Sequence, residues 1–121
     1  MIRGIRGATT ADHNTKEAIV EASHEMLAEL IEANEIDPDY IAAAIFSTTS
    51  DLNAEFPTVA ARRMGWTEVA LMNTHEMAVP DAQPQCIRVL VLLNTDKSPR
   101  EIRNIYLKGA VHLRTRGMEE T

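Results

Sequence analysis

The sequence predicts one α+β domain built on a single mixed β-sheet with helices packed on it. Three observations support this prediction. Apolar runs typical of strands alternate with segments of helical periodicity. The 121 residues suit one domain, and no repeat, linker or low-complexity tract divides them. We therefore assign residues 1–114 to one domain and expect residues 115–121 to be a polar, mobile tail.

The first two predicted elements are a strand and a long helix. Residues 1–9 have the composition of a short strand. Asn14, with Glu17 three residues later, matches a capping box, so we expect a helix to begin there. Apolar side chains then recur at helical spacing, with glutamates on the opposite face. The helix is predicted to end at Asn34, which tolerates a left-handed conformation, before Pro38 blocks its continuation.

Two strands and a short helix are predicted in the middle of the chain. Residues 40–49 suit a strand with a hydroxyl-rich end, although their alanines leave a helix open. Phe56 and Pro57 begin a short helix, because proline is favoured in the first helical turn, and Gly65 ends it. Residues 69–74 are predicted to form the next strand.

The last third contains the most apolar strand of the sequence. Residues 86–94 (CIRVLVLLN) are apolar on both faces, as expected in the middle of a covered sheet. The Ser-Pro-Arg-Glu stretch at 98–101 is a full capping box and predicts a helix over residues 99–108. A short strand is predicted at 110–113. Because several of the helices are short, we expect a partner subunit to help cover the central strand.

Composition excludes several classes of protein. Cys86 is the only cysteine, so a disulfide scaffold is excluded. No run of eighteen apolar residues is present, so we expect no membrane span. The first ten residues lack the apolar region of a secretory signal. These features predict a cytoplasmic protein.

The charge distribution argues against nucleic acid as a partner. The net charge is −6, and residues 12–39 carry nine acids against one lysine. Nine of the twelve basic residues are arginines, and all nine lie outside that acidic segment. A protein that binds a phosphate backbone usually has a basic stripe that is also rich in lysine. Arginine suits bidentate capture of carboxylates, although most of these arginines are expected to be ordinary surface residues.

Arg88 and Glu76 interrupt apolar stretches and are the main candidates for chemistry. Arg88 stands third in CIRVLVLLN, and arginine is rarely buried without a partner because desolvating its charge costs several kcal/mol. It either pairs with an internal acid, reaches water at the strand end, or meets an anionic or ether-bearing ligand. Glu76 lies in LMNTHEMAV. The two residues could be each other's partner without any ligand.

Other catalytic motifs are missing from the sequence. His75 could act as a general base, but a lone histidine is more often structural. No other histidine or cysteine has ligand spacing to it, so no metal site is predicted. Nucleophile motifs, phosphate loops and dinucleotide turns are absent, so no cofactor is predicted. The residues alone therefore predict an anion-binding pocket and no more.

Six blocks of the sequence resemble the monofunctional chorismate mutases of the trimeric Bacillus type. They are IRGIRGATT at 2–10, DLNAEFP at 51–57, EM at 76–77, CIRV at 86–89, IRNIYL at 102–107 and VHLR at 111–114. Their order and their coverage of nearly the whole chain make the resemblance specific. It implies a homotrimeric pseudo-α/β-barrel with active sites between subunits. It also implies an isomerase that converts chorismate to prephenate in phenylalanine and tyrosine biosynthesis, without metal or cofactor.

The resemblance implies a role for each residue of the predicted site. Arg88 would donate a hydrogen bond to the breaking ether oxygen, and Glu76 would bind the ring hydroxyl. Arg6 would bind one substrate carboxylate and Tyr106 the side-chain carboxylate. Phe56 would form part of an apolar wall. The remaining substrate contacts would come from Met72, Asn73, Thr74 and His75.

Three positions depart from the family pattern. Val59 stands where related enzymes carry a basic residue, while Met72 and Asn73 replace a hydroxyl and a thiol. Losing a cation at position 59 should weaken substrate capture more than the chemistry. Arg62 and Arg114 could compensate as steering charges or could be solvated surface residues.

Two other functions remain open on the sequence. One is a non-catalytic regulatory module that binds an anionic metabolite. Such a module is usually attached to an enzyme and would not need Glu76 close to Arg88. The other is a small trimeric deaminase that binds imino acids through arginine, although its motifs are not visible in the sequence.

Overall fold

The computed structural model describes residues 1–116 and contains five strands and two α-helices in that range. In chain order these elements are β1 (Ile2–Thr10), α1 (Lys16–Asn34), β2 (Ile41–Thr48), α2 (Thr58–Arg63), β3 (Ala70–His75), β4 (Cys86–Asn94) and β5 (Ile105–Tyr106). Short 3-10 helices occupy Pro38–Tyr40, Pro99–Glu101 and Lys108–Thr115. Apart from its first two residues, the predicted tail lies outside the described residues. Neither α-helix is long and apolar enough to cross a membrane.

The five strands form one sheet in the order β3-β2-β4-β1-β5. β4 lies in the centre and pairs antiparallel with both β1 and β2. The edge strands β3 and β5 pair parallel with β2 and β1, respectively. The predicted fold class, a single mixed sheet with helices on it, is therefore confirmed.

The long helix α1 begins and ends at slightly different residues from those predicted. Its N-cap is Thr15, whose hydroxyl accepts a hydrogen bond from Ala18 N at 3.1 Å. Asn14 is not the cap, because its side-chain oxygen accepts from the backbone of residues 53–54. At the other end Glu35, and not Asn34, adopts the left-handed conformation, with φ of 52°. Asn34 stays helical.

One face of the sheet packs against both helices and forms the main core. Gly7 of β1 allows this packing, because a Cβ there would lie 3.0 Å from Leu30 Cδ1 of α1 and 3.0 Å from Val89 Cγ1 of β4. The apolar residues of α1, those of α2 and alternate residues of the strands share one cluster. A side chain at position 7 would push α1 away from the sheet.

The opposite face of the sheet is exposed over much of its area in the single chain. Ile87, Val89 and Val91 are buried, whereas Arg88 and Leu90 are exposed. The sequence is apolar on both sides of the strand, but both α-helices pack on the same side. We refer to the uncovered side of the sheet as the open face.

The C-terminal segment differs most from the prediction. The capping box at Ser98 is present, and Glu101 accepts from the Ser98 backbone at 2.9 Å. The predicted helix over 99–108 is nevertheless wrong, because the chain leaves the 3-10 turn and pairs as β5 with β1. The predicted strand at 110–113 is also wrong, since these residues belong to the 3-10 helix Lys108–Thr115. That helix covers one end of the open face through a small cluster: Ala8, Cys86, Ala110, Tyr106 and Leu113.

Candidate active site

The sheet register brings several predicted site residues together on the open face. Neighbouring strands contribute one row across the sheet: Tyr106, Ala8, Arg88, Ser47 and Thr74. In the next row Arg6 lies opposite Leu90. Because side chains two residues apart share a face of a strand, Arg6, Arg88 and Tyr106 all point to the open side.

Except for Thr74, these residues line a recess of about 340 Å³ on the open face, which we call the arginine recess. Its polar lining comes from Arg6, Ser47, Glu76, Arg88 and Tyr106. Two guanidinium groups and a phenol in one recess suit a ligand that carries carboxylates. Within residues 1–116 no group of three His, Cys, Asp or Glu side chains is placed to hold a metal ion.

Arg88 and Glu76 form an ion pair inside the arginine recess. Arg88 Nη1 lies 3.4 Å from Glu76 Oε2, and the two side chains are 46% and 24% exposed. In the single chain Arg88 is therefore only partly buried, whereas its apolar sequence context predicted burial. The contact is long and solvated, so it adds little stability. Elsewhere in the described chain the guanidinium finds no acceptor, which leaves donors available to a ligand.

The last residue of β2 and the residues that follow it fix Glu76 and the beginning of β4 relative to each other. Glu76 N donates to Thr48 O at 2.9 Å. The next residue, Thr49, accepts from Cys86 N at 3.0 Å and donates its hydroxyl proton to Asp51. Asp51 also accepts from Gln85 N at 2.9 Å. The two partners of the ion pair are thus fixed by adjacent backbone groups, a contribution of Thr49 and Asp51 that we did not anticipate from the sequence.

A second recess, of about 320 Å³, lies between the edge strand β3 and the segment that precedes α2, and it contains most of the other predicted residues. We call it the Phe56 recess, because Phe56 lines it while remaining 61% exposed. Asn73, Thr74 and His75 also line it. No residue lines both the arginine recess and the Phe56 recess. In one chain the predicted site therefore falls into two groups, and Met72 lines neither recess.

Two residues of the Phe56 recess are already engaged with their own chain. Asn73 Nδ2 donates to Thr58 Oγ1 at 3.0 Å, and Asn73 Oδ1 accepts from Thr58 N at 3.4 Å. These contacts tie β3 to the first turn of α2. His75 Nδ1 lies 3.3 Å from Thr48 O. Both side chains therefore have structural partners, which agrees with the structural interpretation of His75.

A third recess, of about 220 Å³, lies on the other side of the ion pair. Glu76 and Arg88 line it together with Met77, Cys86 and Leu113. It lies under the 3-10 helix Lys108–Thr115, so its walls are largely apolar. The ion pair thus lies between two recesses, and its charged groups line both of them.

Cys86 is expected to be unreactive in the folded protein. Its side chain is 2% exposed, and burial raises the pKa of its thiol from 9.0 to about 11. A rise of two units lowers the thiolate fraction about 100-fold at pH 8. We predict very slow reaction of native protein with a disulfide reagent at pH 8 and rapid reaction in denaturant, measured by thiolate release. Equally fast reaction in both conditions would contradict the burial of this thiol.

Comparison with known proteins assigns the chain to a family. The family model described as chorismate mutase type I matches residues 2–116. The chorismate mutase AroH of Thermus thermophilus is 46% identical over 115 residues, which cover 94% of each chain. The chorismate mutase AroH of Bacillus subtilis strain 168 is 40% identical over 115 residues, which cover 94% of this chain and 91% of that protein.

A solved structure supports the same assignment. The chorismate mutase from Clostridium thermocellum Cth-682 matches with a TM-score of 0.88 and 46% sequence identity, covering 89% of this chain and 96% of that one. The similarity thus extends over most of the fold as well as over the sequence. This chain belongs to the chorismate mutase type I family.

Proposed function

We propose that this protein is a chorismate mutase, an isomerase that rearranges chorismate to prephenate on the route to phenylalanine and tyrosine. Family membership and the names of its relatives support this activity. The observation that carries the proposal is the arginine recess, where Arg88 and Glu76 lie 3.4 Å apart beside Arg6 and Tyr106. As a biosynthetic enzyme, it is proposed to work in the cytoplasm.

Arg88 is proposed to act on the bond that breaks. In this rearrangement the ether C–O bond lengthens and negative charge develops on the oxygen. A guanidinium fixed in the recess stabilises that charge without solvent reorganisation. Glu76 accepts a hydrogen bond from the ring hydroxyl, and its carboxylate favours the positive charge that develops on the ring. The opposite charges of the pair match the polarisation of the transition state.

Arg6 and Tyr106 are proposed to hold the two substrate carboxylates. Restricting the flexible ether side chain to its compact conformer lowers the entropic part of the barrier. This reaction transfers no proton, so it needs no general acid or base. His75 therefore need not act as a base, and its contact with Thr48 is compatible with the mechanism.

The enzyme is proposed to work as a homotrimer with active sites between subunits. The two groups of site residues line separate recesses in one chain, so a neighbour's Phe56 recess would complete the arginine recess. Met72 through His75 would then contact the substrate from that neighbour. Large apolar side chains on the open face, with Met72 57% and Leu90 37% exposed, support its burial by another copy. This arrangement would bury the second face of β4.

The alternative of a non-catalytic binding module is not favoured. The family and the named relatives are enzymes. A carboxylate placed 3.4 Å from Arg88 would also weaken capture of an anionic metabolite, because it competes for the same guanidinium. Both Arg88 and Glu76 stabilise a polarised transition state, whereas only Arg88 stabilises a bound anion.

The proposal is tested by following the loss of chorismate absorbance with purified protein in EDTA. We expect conversion to prephenate without added metal or cofactor. An Arg88→Ala sample at equal concentration controls for contaminating host enzyme. A correctly folded wild-type sample with no turnover above the uncatalysed rate would overturn the proposal and leave the binding module.

A further inference from the structure

Asn34 is a buried polar residue to which the proposed mechanism gives no role. It is the last residue of α1 and is 1% exposed. Its Nδ2 donates to Leu30 O and to Arg103 O, both at 2.9 Å. Its Oδ1 accepts from Arg103 N, also at 2.9 Å. Both polar atoms of the Asn34 side chain are thus hydrogen-bonded, to Arg103 and to its own helix.

The two bonds to Arg103 fix the backbone just before β5. By accepting from the N–H and donating to the C=O of one residue, the amide reproduces the double hydrogen bond of paired strand residues. One residue later, Asn104 Oδ1 accepts from Arg6 N at 2.8 Å. Here too a side chain replaces a backbone partner. Both of these side-chain hydrogen bonds lie next to β5, which is only two residues long. A strand this short is not held in place by its backbone hydrogen bonds to β1 alone.

Asn34 is itself anchored on a rigid element. The backbone carbonyl oxygen of Asn34 accepts a hydrogen bond from Lys97 Nζ at 2.8 Å. This contact is favourable because cations stabilise helix C-termini. Asn34 lies four residues after Leu30, which is fully buried in the core. The two hydrogen bonds from Asn34 therefore fix the backbone of Arg103 relative to α1.

We propose that Asn34 and Asn104 are positioning residues that hold Tyr106 and Arg6 in the arginine recess. Asn34 fixes the chain three residues before Tyr106, and Asn104 ties the same segment to the backbone of Arg6. Together they set the separation between the two groups assigned to the substrate carboxylates. This inference rests on the proposed function, since it takes Arg6 and Tyr106 as substrate contacts.

The structural part of the inference is tested by hydrogen exchange, independently of activity. Leu107 N donates to Ala8 O at 2.9 Å and reports whether β5 stays docked on β1. In Asn34→Ala we expect this amide to exchange at least about tenfold faster, while amides shared by β2 and β4 keep their protection. Asn94→Ala, the same change at an exposed position on β4, should alter neither. Unchanged Leu107 exchange in Asn34→Ala would overturn the inference.

The functional part is tested by steady-state kinetics of Asn34→Asp and Asn104→Ala. Asn34→Asp keeps the shape and the acceptor but loses both donated bonds, and Asn104 is exposed, so its variant should fold even where an Asn34 variant does not. We expect KM to rise about tenfold and kcat to stay within about twofold, because carboxylate binding is shared by ground and transition states. Equal loss of kcat and kcat/KM in both variants would instead indicate a general structural role.

A double-mutant cycle connects Asn34 to Tyr106. If Asn34 acts through Tyr106, the effect of Asn34→Asp on KM should fall below half in a Tyr106→Phe background. Full additivity would overturn the proposed route. If wild-type protein failed to turn over chorismate, the proposed function would fall, and the exchange result alone would decide whether Asn34 secures β5.

Discussion

Replacing Arg88 with lysine is expected to lower kcat by at least about 10²–10³-fold, roughly 3–4 kcal/mol, with a much smaller change in KM. Lysine keeps the charge, so a pocket needing only attraction to carboxylates would tolerate it. The proposed role requires a planar group that meets the ether oxygen as its bond stretches while other donors hold a carboxylate or Glu76. A flexible ammonium cannot maintain both contacts, so the lost interaction is one made mainly in the transition state.

The Arg88→Lys variant should fold normally, because the Arg88 side chain is 46% exposed and its ion pair is long. Thermal melting checks this before any kinetics. Arg100→Lys provides the matched control, since Arg100 is exposed in the 3-10 turn before β5. A folded Arg88→Lys variant with wild-type kcat would make Arg88 a structural residue and refute the mechanism.

Strands β1 to β4 were the most predictable part of the fold. The bounds of β4 match the predicted 86–94 segment, because its continuous apolar sequence has few alternatives. Local sequence signals for the start of a helix were less reliable where two neighbouring residues could both form the N-cap. Asn14 and Thr15 are both good N-caps, and the structure uses Thr15 because Asn14 accepts hydrogen bonds from residues 53–54. A contact across the chain decided between adjacent residues.

The predicted helix over 99–108 failed for a related reason. Its capping box forms, so the local signal was correct as far as Glu101. Beyond that turn, pairing of β5 with β1 and the bonds from Asn34 to Arg103 outweigh helical propensity. Asn34 did carry a sequence signal, a polar residue four positions after Leu30 in the apolar stripe, but its partner lies 69 residues away.

The candidate site was predicted by residue type and not by arrangement. Arg88 and Glu76 broke an apolar pattern, and the structure pairs them. The short helices suggested that a partner subunit helps to cover β4, but CIRVLVLLN is apolar on both faces and could not show which face the helices leave open. Nor could the sequence give the sheet order, which alone decides that Arg6 and Tyr106 join Arg88 while Phe56 does not.

Wild-type protein is expected to sediment as a trimer at micromolar concentration, and Leu92→Asp is expected to be monomeric with at least about 100-fold lower activity. Leu92 lies on the open face between Gly4 and Ala43 in the sheet register and lines neither the arginine recess nor the Phe56 recess. In the proposed trimer this region is buried, and an unpaired carboxylate there would cost about 3–5 kcal/mol, a factor of 10²–10³ in association. Activity falls with assembly, because a lone chain lacks the neighbour's Phe56 recess.

Two controls separate assembly from folding in this experiment. Leu92→Ile keeps the apolar surface and should remain a trimer with near wild-type activity. Thr67→Asp adds the same charge at an exposed turn before β3 and should also remain trimeric. Circular dichroism and cooperative melting must show that the Leu92→Asp monomer is folded. A wild-type monomer with full activity at micromolar concentration would contradict the intersubunit site, because Arg6 and Phe56 would then have to meet within one chain that holds them in separate recesses.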